Sequence, residues 1–396
     1  MNPIQSTLPP PAAAHSVVSK KRGAPTAGQQ KIAPLTSLRF FAAFIVMLYH
    51  TAPLPLRVNR ALPFGNFINI SFISVGFFFT LSGYILSVVY LQPQRPLDRK
   101  RFWIARFARI YPLFAVSLLL DVPNVLIFRV AKYGVKAALL KTAVTLAGNL
   151  VMLQSWFLKL RFLNPPVWSL GVETVFYILF PFIGYRLWKA TPRMAVLGSF
   201  LLYLLGMTLV AIAIRLRIDP NVVEFNPIFH LHEFLIGVFV ARWHGTKLRH
   251  EGTRHRLRLL APWMAAVALL LFIAAIYAFP RIPELYLRDG LLLPAYILAI
   301  LAFSSDNRAL DALFSLPALV VLGEASYGLY LIHQPIANYF VLAGLKALWI
   351  YPIYLAVAVA LSVVGFYLFE IKARQVILHW AHTRSKETNM VASIAQ

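Results

Sequence analysis

The stretch Leu35–His50, LTSLRFFAAFIVMLYH, is apolar enough to open a membrane span, yet it carries Arg39 and His50. An ionisable side chain in hydrocarbon is costly, so a span that keeps two marks a functional face by default. The two are eleven residues apart, a rise of about 16 Å and a rotation of about 20° past three full turns on a helix. The spacing predicts one helix face, with Arg39 toward one membrane surface and His50 toward the other. It fits equally a plain arrangement in which Arg39 snorkels to one interface and His50 sits at the opposite one.

The rest of the chain fits a membrane protein. Of its 396 residues, 59% are hydrophobic and 13% charged, with mean hydropathy +0.69, whereas a soluble domain carries about 25% charged residues. The net charge of +24, from 38 Lys and Arg against 14 Asp and Glu, falls in clusters between apolar runs. That is the pattern of cytoplasmic loops; no nucleic-acid motif accompanies it, and no nucleic-acid partner is expected. The absence of cysteine excludes disulfides, thiolate catalysis and thiolate metal sites.

Spanning helices are predicted near 35–53, 68–91, 110–129, 166–185, 194–214, 226–243, 260–279, 288–304, 317–340 and 349–370, about ten in an all-α polytopic membrane fold. The basic loops 92–109, 186–193 and 242–258 then share a side with both termini, which the positive-inside rule assigns to the cytoplasm. Residues 1–33 read as a disordered basic cytoplasmic tail without a signal peptide, 34–372 as the transmembrane domain and 373–396 as a short cytoplasmic tail. No appended soluble domain is expected. The uncharged run inside 137–158 is assigned to an amphipathic or re-entrant helix at the outer face. If it spanned, two basic loops would move outside.

Six blocks, in order, resemble the membrane-bound acyltransferase-3 family of bacterial polysaccharide O-acyltransferases. They are LRFFAAFIVMLYH from Leu38, GFFFTLSGYILS at 76–87, RKRFWIARFARIYPLF at 99–114, NPPVWSLGVETVFYILFP at 164–181, HLHEFLIGVFVAR at 230–242 and GEASYGLYLIH at 323–333. The resemblance covers roughly residues 33–375. It implies transfer of an acyl group, usually acetyl, from acetyl-CoA to a hydroxyl of a cell-surface or exopolysaccharide sugar, with a glycan or lipid-linked oligosaccharide as acceptor. The expected location is the bacterial inner membrane, with the lipid bilayer and other polysaccharide-assembly proteins as neighbours. Three positions depart from the family's habit. Thr36 and Ser37 stand where Asp-Gly is common, Thr174 where a second acidic residue often follows, and Glu370 is followed by IKAR rather than by a nearby proline.

O-acyl transfer needs a base, an oxyanion stabiliser and delivery of the thioester. Histidine titrates near neutrality, so His50 is the expected base, with Glu173 as the carboxylate that orients it. Arg39 is expected beside the thioester arm of the donor, unless it serves structure alone. Arg106 and Arg109, three apart on one helix face, with Arg101 and Lys100 nearby, suit the phosphates of coenzyme A; the positive-inside bias alone would also explain them. Tyr84, Trp168, Ser169, Tyr327, Tyr330 and His333 are expected along the substrate passage, where packing or interfacial anchoring is the alternative. His230 and His232 point away from each other on a helix, so no metal site is expected there. Arg57, Arg60, Lys132, Lys136 and Lys159 hint at an acidic acceptor. A flippase for lipid-linked glycan and a non-catalytic scaffold of a polysaccharide assembly complex are the competing readings. The acceptor sugar, the length of the acyl group, and direct attack versus an acetyl-histidine route stay open.

Overall fold

A backbone in hydrocarbon must satisfy its own hydrogen bonds. The long apolar runs accordingly form helices, and no strand occurs among the described residues. The computed structural model describes residues 33–53, 55–56, 63–91, 97–345 and 347–394. The tail 1–32 and the expected outer cations Arg57 and Arg60 lie outside these residues. In chain order the helices are α1 (Ala33–Thr51), α2 (Pro63–Ile70), α3 (Ser74–Tyr90), α4 (Arg99–Tyr133), α5 (Val135–Leu150), α6 (Trp168–Trp188), α7 (Pro192–Arg215) and α8 (Pro220–Phe225). They continue with α9 (Pro227–Lys247), α10 (Glu251–Ala278), α11 (Glu284–Arg288), α12 (Leu293–Phe303), α13 (Arg308–Phe314), α14 (Pro317–Leu342), α15 (Tyr351–Gly365) and α16 (Ile371–Ile394).

Among the described residues, eight helices are long and apolar enough to cross a membrane, or nine if α13 and α14, bent by 66°, form one broken span. The tenth expected segment is α9. Its 21 residues give about 31 Å of helix, but His230, His232, Glu233, Arg242 and His244 make it too polar to face lipid. It is instead sheathed by α3, α6, α7 and α12. Reciprocal glycines allow α3 and α9 to touch. A Cβ on Gly83 would collide with the Phe234 carbonyl oxygen, and one on Gly237 with the Thr80 carbonyl oxygen. Small residues are what let backbones approach in a membrane. The periphery is formed by α7 and α10, which expose Leu197, Phe200, Leu201, Leu259, Trp263 and Leu270.

Three boundaries differ from the sequence reading. The basic stretch read as a loop before residue 110 is the first turns of α4, capped by Asp98, whose carboxylate accepts from the Arg101 N–H at 3.0 Å. Likewise α10 begins at Glu251, within the expected loop. Past α15 no proline stops the chain. A π-helical turn at Phe366–Glu370 carries it into α16. The run read as amphipathic or re-entrant, 137–158, overlaps α5, only 16 residues long. It folds back along α4, where Arg129 donates to Thr142 and Thr145 and the Tyr111 hydroxyl donates to the Leu150 carbonyl.

The chain then returns to α4 at a buried knot. Asp121 is wholly buried. Its Oδ2 accepts from the Asn164 backbone N–H at 2.8 Å, and its Oδ1 from the Asn124 and Asn338 amides at 3.1 and 2.9 Å. Asn164, in the left-handed conformation at φ 46°, donates its own amide to Ser117 and to the Leu331 carbonyl. One carboxylate thus ties α4, the Asn-Pro-Pro turn that launches α6, and α14. Asp121→Ala should take the acceptor from three N–H groups, two of them buried, each buried loss costing about 1–3 kcal/mol. We expect a clear drop in the thermal denaturation midpoint of the detergent-solubilised protein, whereas Lys132→Ala, on the exposed side of α4, should leave the midpoint unchanged.

Candidate functional site

Toward the basic end of the bundle, five helices enclose a cavity of about 150 Å³. Arg39 enters it from α1, Ser82 from α3, Arg106 and Arg109 from α4, Glu173 and Tyr177 from α6, and Tyr327 from α14. Helical spacing explains the pairs: three residues apart for the arginines and four for Glu173 and Tyr177. Glu173 accepts from the Tyr177 hydroxyl and, at 2.8 Å, from the Ser82 hydroxyl. Arg106 donates to the Tyr90 hydroxyl at 2.9 Å, and Arg109 lies 3.9 Å from Glu370, which is buried at the start of α16. The Tyr327 hydroxyl donates to the Ile110 carbonyl at 2.7 Å. Three guanidinium groups therefore face one water-accessible hollow, with the fork geometry that suits phosphate oxygens.

A second, smaller cavity of about 20 Å³ lies toward the opposite end, lined by Tyr49, His50, Phe72, Val75, Trp168, Glu224, His230, Arg288 and Tyr330. That volume accommodates about one water or one hydroxyl group. His50 Nδ1 is 2.9 Å from the Val46 carbonyl oxygen. A carbonyl can only accept, so Nδ1 carries the hydrogen, and the lone pair of the neutral ring sits on Nε2. His333 repeats the arrangement, with Nδ1 donating to the Leu329 carbonyl at 3.1 Å, and its ring centroid lies 5.3 Å from that of His50. Arg288 donates to the Glu224 carboxylate at 2.5 Å and to the Tyr49 hydroxyl at 2.9 Å, and it also bonds Glu284. Burial pushes the Glu224 carboxyl above its ordinary range, while Arg288 and Arg161 pull it back. His230 bridges the Glu233 carboxylate and the Glu224 carbonyl, at 3.2 and 2.7 Å.

The two cavities share Val75 and Tyr330. The Tyr330 hydroxyl donates to the Pro166 carbonyl at 2.7 Å and receives the Ser169 hydroxyl, also at 2.7 Å. Trp168, Ser169, Tyr327 and Tyr330 therefore each line at least one of the two cavities. Tyr84 does not: its hydroxyl bonds His244 Nδ1 at 2.7 Å, away from both cavities. Lys100 and Arg101 are exposed on the first turn of α4, and only Arg106 and Arg109 of that cluster reach the hollow. His333 is buried beside His50 but lines neither cavity. The expected pairing of His50 with Glu173 is not made. Trp168 lines the His50 cavity, and Glu173 sits five residues further along α6, about 7.5 Å deeper, among the arginines.

Tyr177, Glu370, Glu224, Arg288 and Asp121 were missed in the sequence. Tyr177 could have been found from its four-residue offset from Glu173. The others are brought in by long-range packing, for which the chain carries no local signal.

Comparison with known proteins agrees with this architecture. The model of the acyltransferase-3 family, described as an acyltransferase domain, matches residues 33–367. The chain belongs to this family and is a multi-pass membrane protein. It is 27% identical over 322 residues to the putative peptidoglycan O-acetyltransferase YrhL of Bacillus subtilis, covering 76% of this chain and 48% of that protein. It is 27% identical over 327 residues to the peptidoglycan O-acetyltransferase OatA of Listeria monocytogenes, covering 76% and 49%. It is also 27% identical over 337 residues to the acyltransferase MdmB of Streptomyces mycarofaciens, covering 78% and 80%. The chain thus spans about half the length of the two peptidoglycan relatives. No solved structure matches it.

The Arg109–Glu370 pair offers a direct test of the arginine cavity. Arg109→Met should strand the buried Glu370 and destabilise the protein by about 3–5 kcal/mol. The double variant Arg109→Met/Glu370→Met should recover much of that loss. A thermal double-mutant cycle in detergent reads the coupling.

Proposed function

We propose that this protein transfers an acetyl group from acetyl-CoA, bound at the arginine cavity, to a sugar hydroxyl that reaches His50 from the opposite membrane face. The observation that carries the reading is the contiguity of the two cavities: guanidinium groups at one, a histidine lone pair at the other, and a wall of Val75 and Tyr330 between them. The basic end is assigned to the cytoplasm by the excess of Lys and Arg in its loops, which puts the donor where it is made. The membrane is then the bacterial inner membrane. The peptidoglycan relatives favour a cell-envelope glycan as acceptor. An exopolysaccharide repeat unit, carried on lipid, fits the same geometry.

Each residue has a part in this scheme. Arg106 and Arg109 hold the phosphates of the donor, and Arg39, from another helix lining the same cavity, steadies its thioester arm. The acceptor hydroxyl gives its proton to His50 Nε2 as its oxygen attacks the thioester carbonyl carbon. The carbon–sulfur bond breaks, and the proton passes from His50 to the departing sulfur. The Val46 carbonyl fixes the tautomer, a task that a carboxylate performs in many histidine sites. Glu173, held by Ser82 and Tyr177, offsets part of the positive charge of the arginine cavity.

Radiolabelled acetyl-CoA supplied to membranes tests this. Label should enter glycan with the wild type, and His50→Ala should lower the rate by at least about a hundredfold, the scale of general-base catalysis, at equal protein level. Full activity in His50→Ala would move the base elsewhere. Movement of lipid-linked glycan without any labelling would instead favour a flippase.

A further inference from the structure

We infer that Arg161, two aromatic rings from the His50 cavity, is a binding site for an oxyanion carried by the acceptor, a carboxylate or a phosphate. The site rests on the reading above that the acceptor approaches from this end.

The side chain is placed by stacking. Its guanidinium carbon lies 2.9 Å from the Phe225 ring centroid, and Phe225 packs edge-on against Trp168, with ring centroids 4.9 Å apart. Trp168 lines the cavity beside His50 and His230. Arg161 is therefore two rings away from the reacting histidine. Its chain position explains the rigidity. It closes the 3-10 turn Leu158–Leu160, three residues before Asn164, which is fastened to Asp121.

The guanidinium is not neutralised where it sits. Its Nε is buried and bonds nothing, and no described side chain accepts a hydrogen bond from the group. The neighbouring Arg288 takes up the nearby carboxylates of Glu224 and Glu284. The charges around Arg161 are thus Glu224 and Asp219 at a distance and Arg288 of like sign. Burial pulls the Arg161 guanidinium down to about 10, the direction expected of a cation that has lost water without gaining a partner. Two other cations of this region have partners of their own. Arg129 donates to two threonines, and Lys132 lies over the Tyr133 ring. A planar fork with a fixed orientation and an unfilled donor matches carboxylate or phosphate oxygens, which it binds in pairs. Either group fits: a carboxylated sugar supplies the first and a lipid-linked phosphate the second.

The test uses the purified full chain in detergent and microscale thermophoresis. The probes are a glucuronate-terminated disaccharide, the corresponding neutral glucose disaccharide and dodecyl phosphate. Arg161→Gln should weaken at least one anionic probe by roughly tenfold or more, the scale of a lost charge-assisted bond, without changing the neutral one. Arg161→Lys, which keeps the charge but not the fork, should fall between. A loss confined to the glucuronate probe assigns the site to a sugar carboxylate, and one confined to dodecyl phosphate assigns it to a lipid phosphate. The inference is overturned if neither anionic probe binds the wild type, or if both bind Arg161→Gln as well as they bind the wild type. Because binding is read without turnover, absence of acetyl transfer in parallel membranes would refute the proposed function and leave this result standing.

Discussion

A carboxylate deep in a membrane bundle is costly unless donors meet it, and Asp121 has three N–H donors on its two oxygens, from three parts of the chain. The knot sets the geometry around it. It fixes the Asn-Pro-Pro turn, hence the height at which α6 enters the bundle. That height in turn places Trp168 beside His50 and Glu173 among the arginines. The same donors hold α14, whose Tyr330 forms the wall between the cavities. Both halves of the candidate site are therefore positioned from one buried anion that touches neither.

The bundle is graded along its axis. Guanidinium groups, phenol hydroxyls and the paired Glu173 and Glu370 gather at one end. Histidines, carboxylates and aromatic rings gather at the other. Between them the interior is lined by Phe78, Phe79, Val75 and Leu81. At each end one charged pair joins separate helical segments, Arg109 with Glu370 and Arg288 with Glu224. The reciprocal glycines of α3 and α9 bring a polar helix into the centre, where α9 can contribute His230 without meeting lipid.

Much of this was legible in the sequence, because it is written in local patterns. The apolar runs, the eleven-residue offset of Arg39 and His50, and the three-residue offset of Arg106 and Arg109 each have a fixed meaning on a helix. The family blocks gave the reaction class. Depth was not legible. Glu173 follows Trp168 closely enough to look like a neighbour of His50, and only the tilt and level of α6 show that it belongs to the other cavity. Nor could chain distance announce that Glu370 would meet Arg109, or that Arg288 would close over Tyr49 and Glu224. The basic stretch before residue 110 also misled: polarity suggested a loop, whereas it is helix with one face turned into the hollow and the other toward water.

The partition formed by Val75 and Tyr330 has an electrical consequence. Among the described residues the two cavities meet at these side chains, so an ion attempting the passage would have to shed much of its hydration there. A membrane voltage exerts about 2.3 kcal/mol on each unit charge per 100 mV, yet it does no work on a group that carries none. A two-chamber enzyme with such a septum can hand a neutral fragment from one face to the other while the anionic carrier stays behind. On the proposed reading, such an exchange draws nothing from the ion gradient and leaves the membrane's insulation intact.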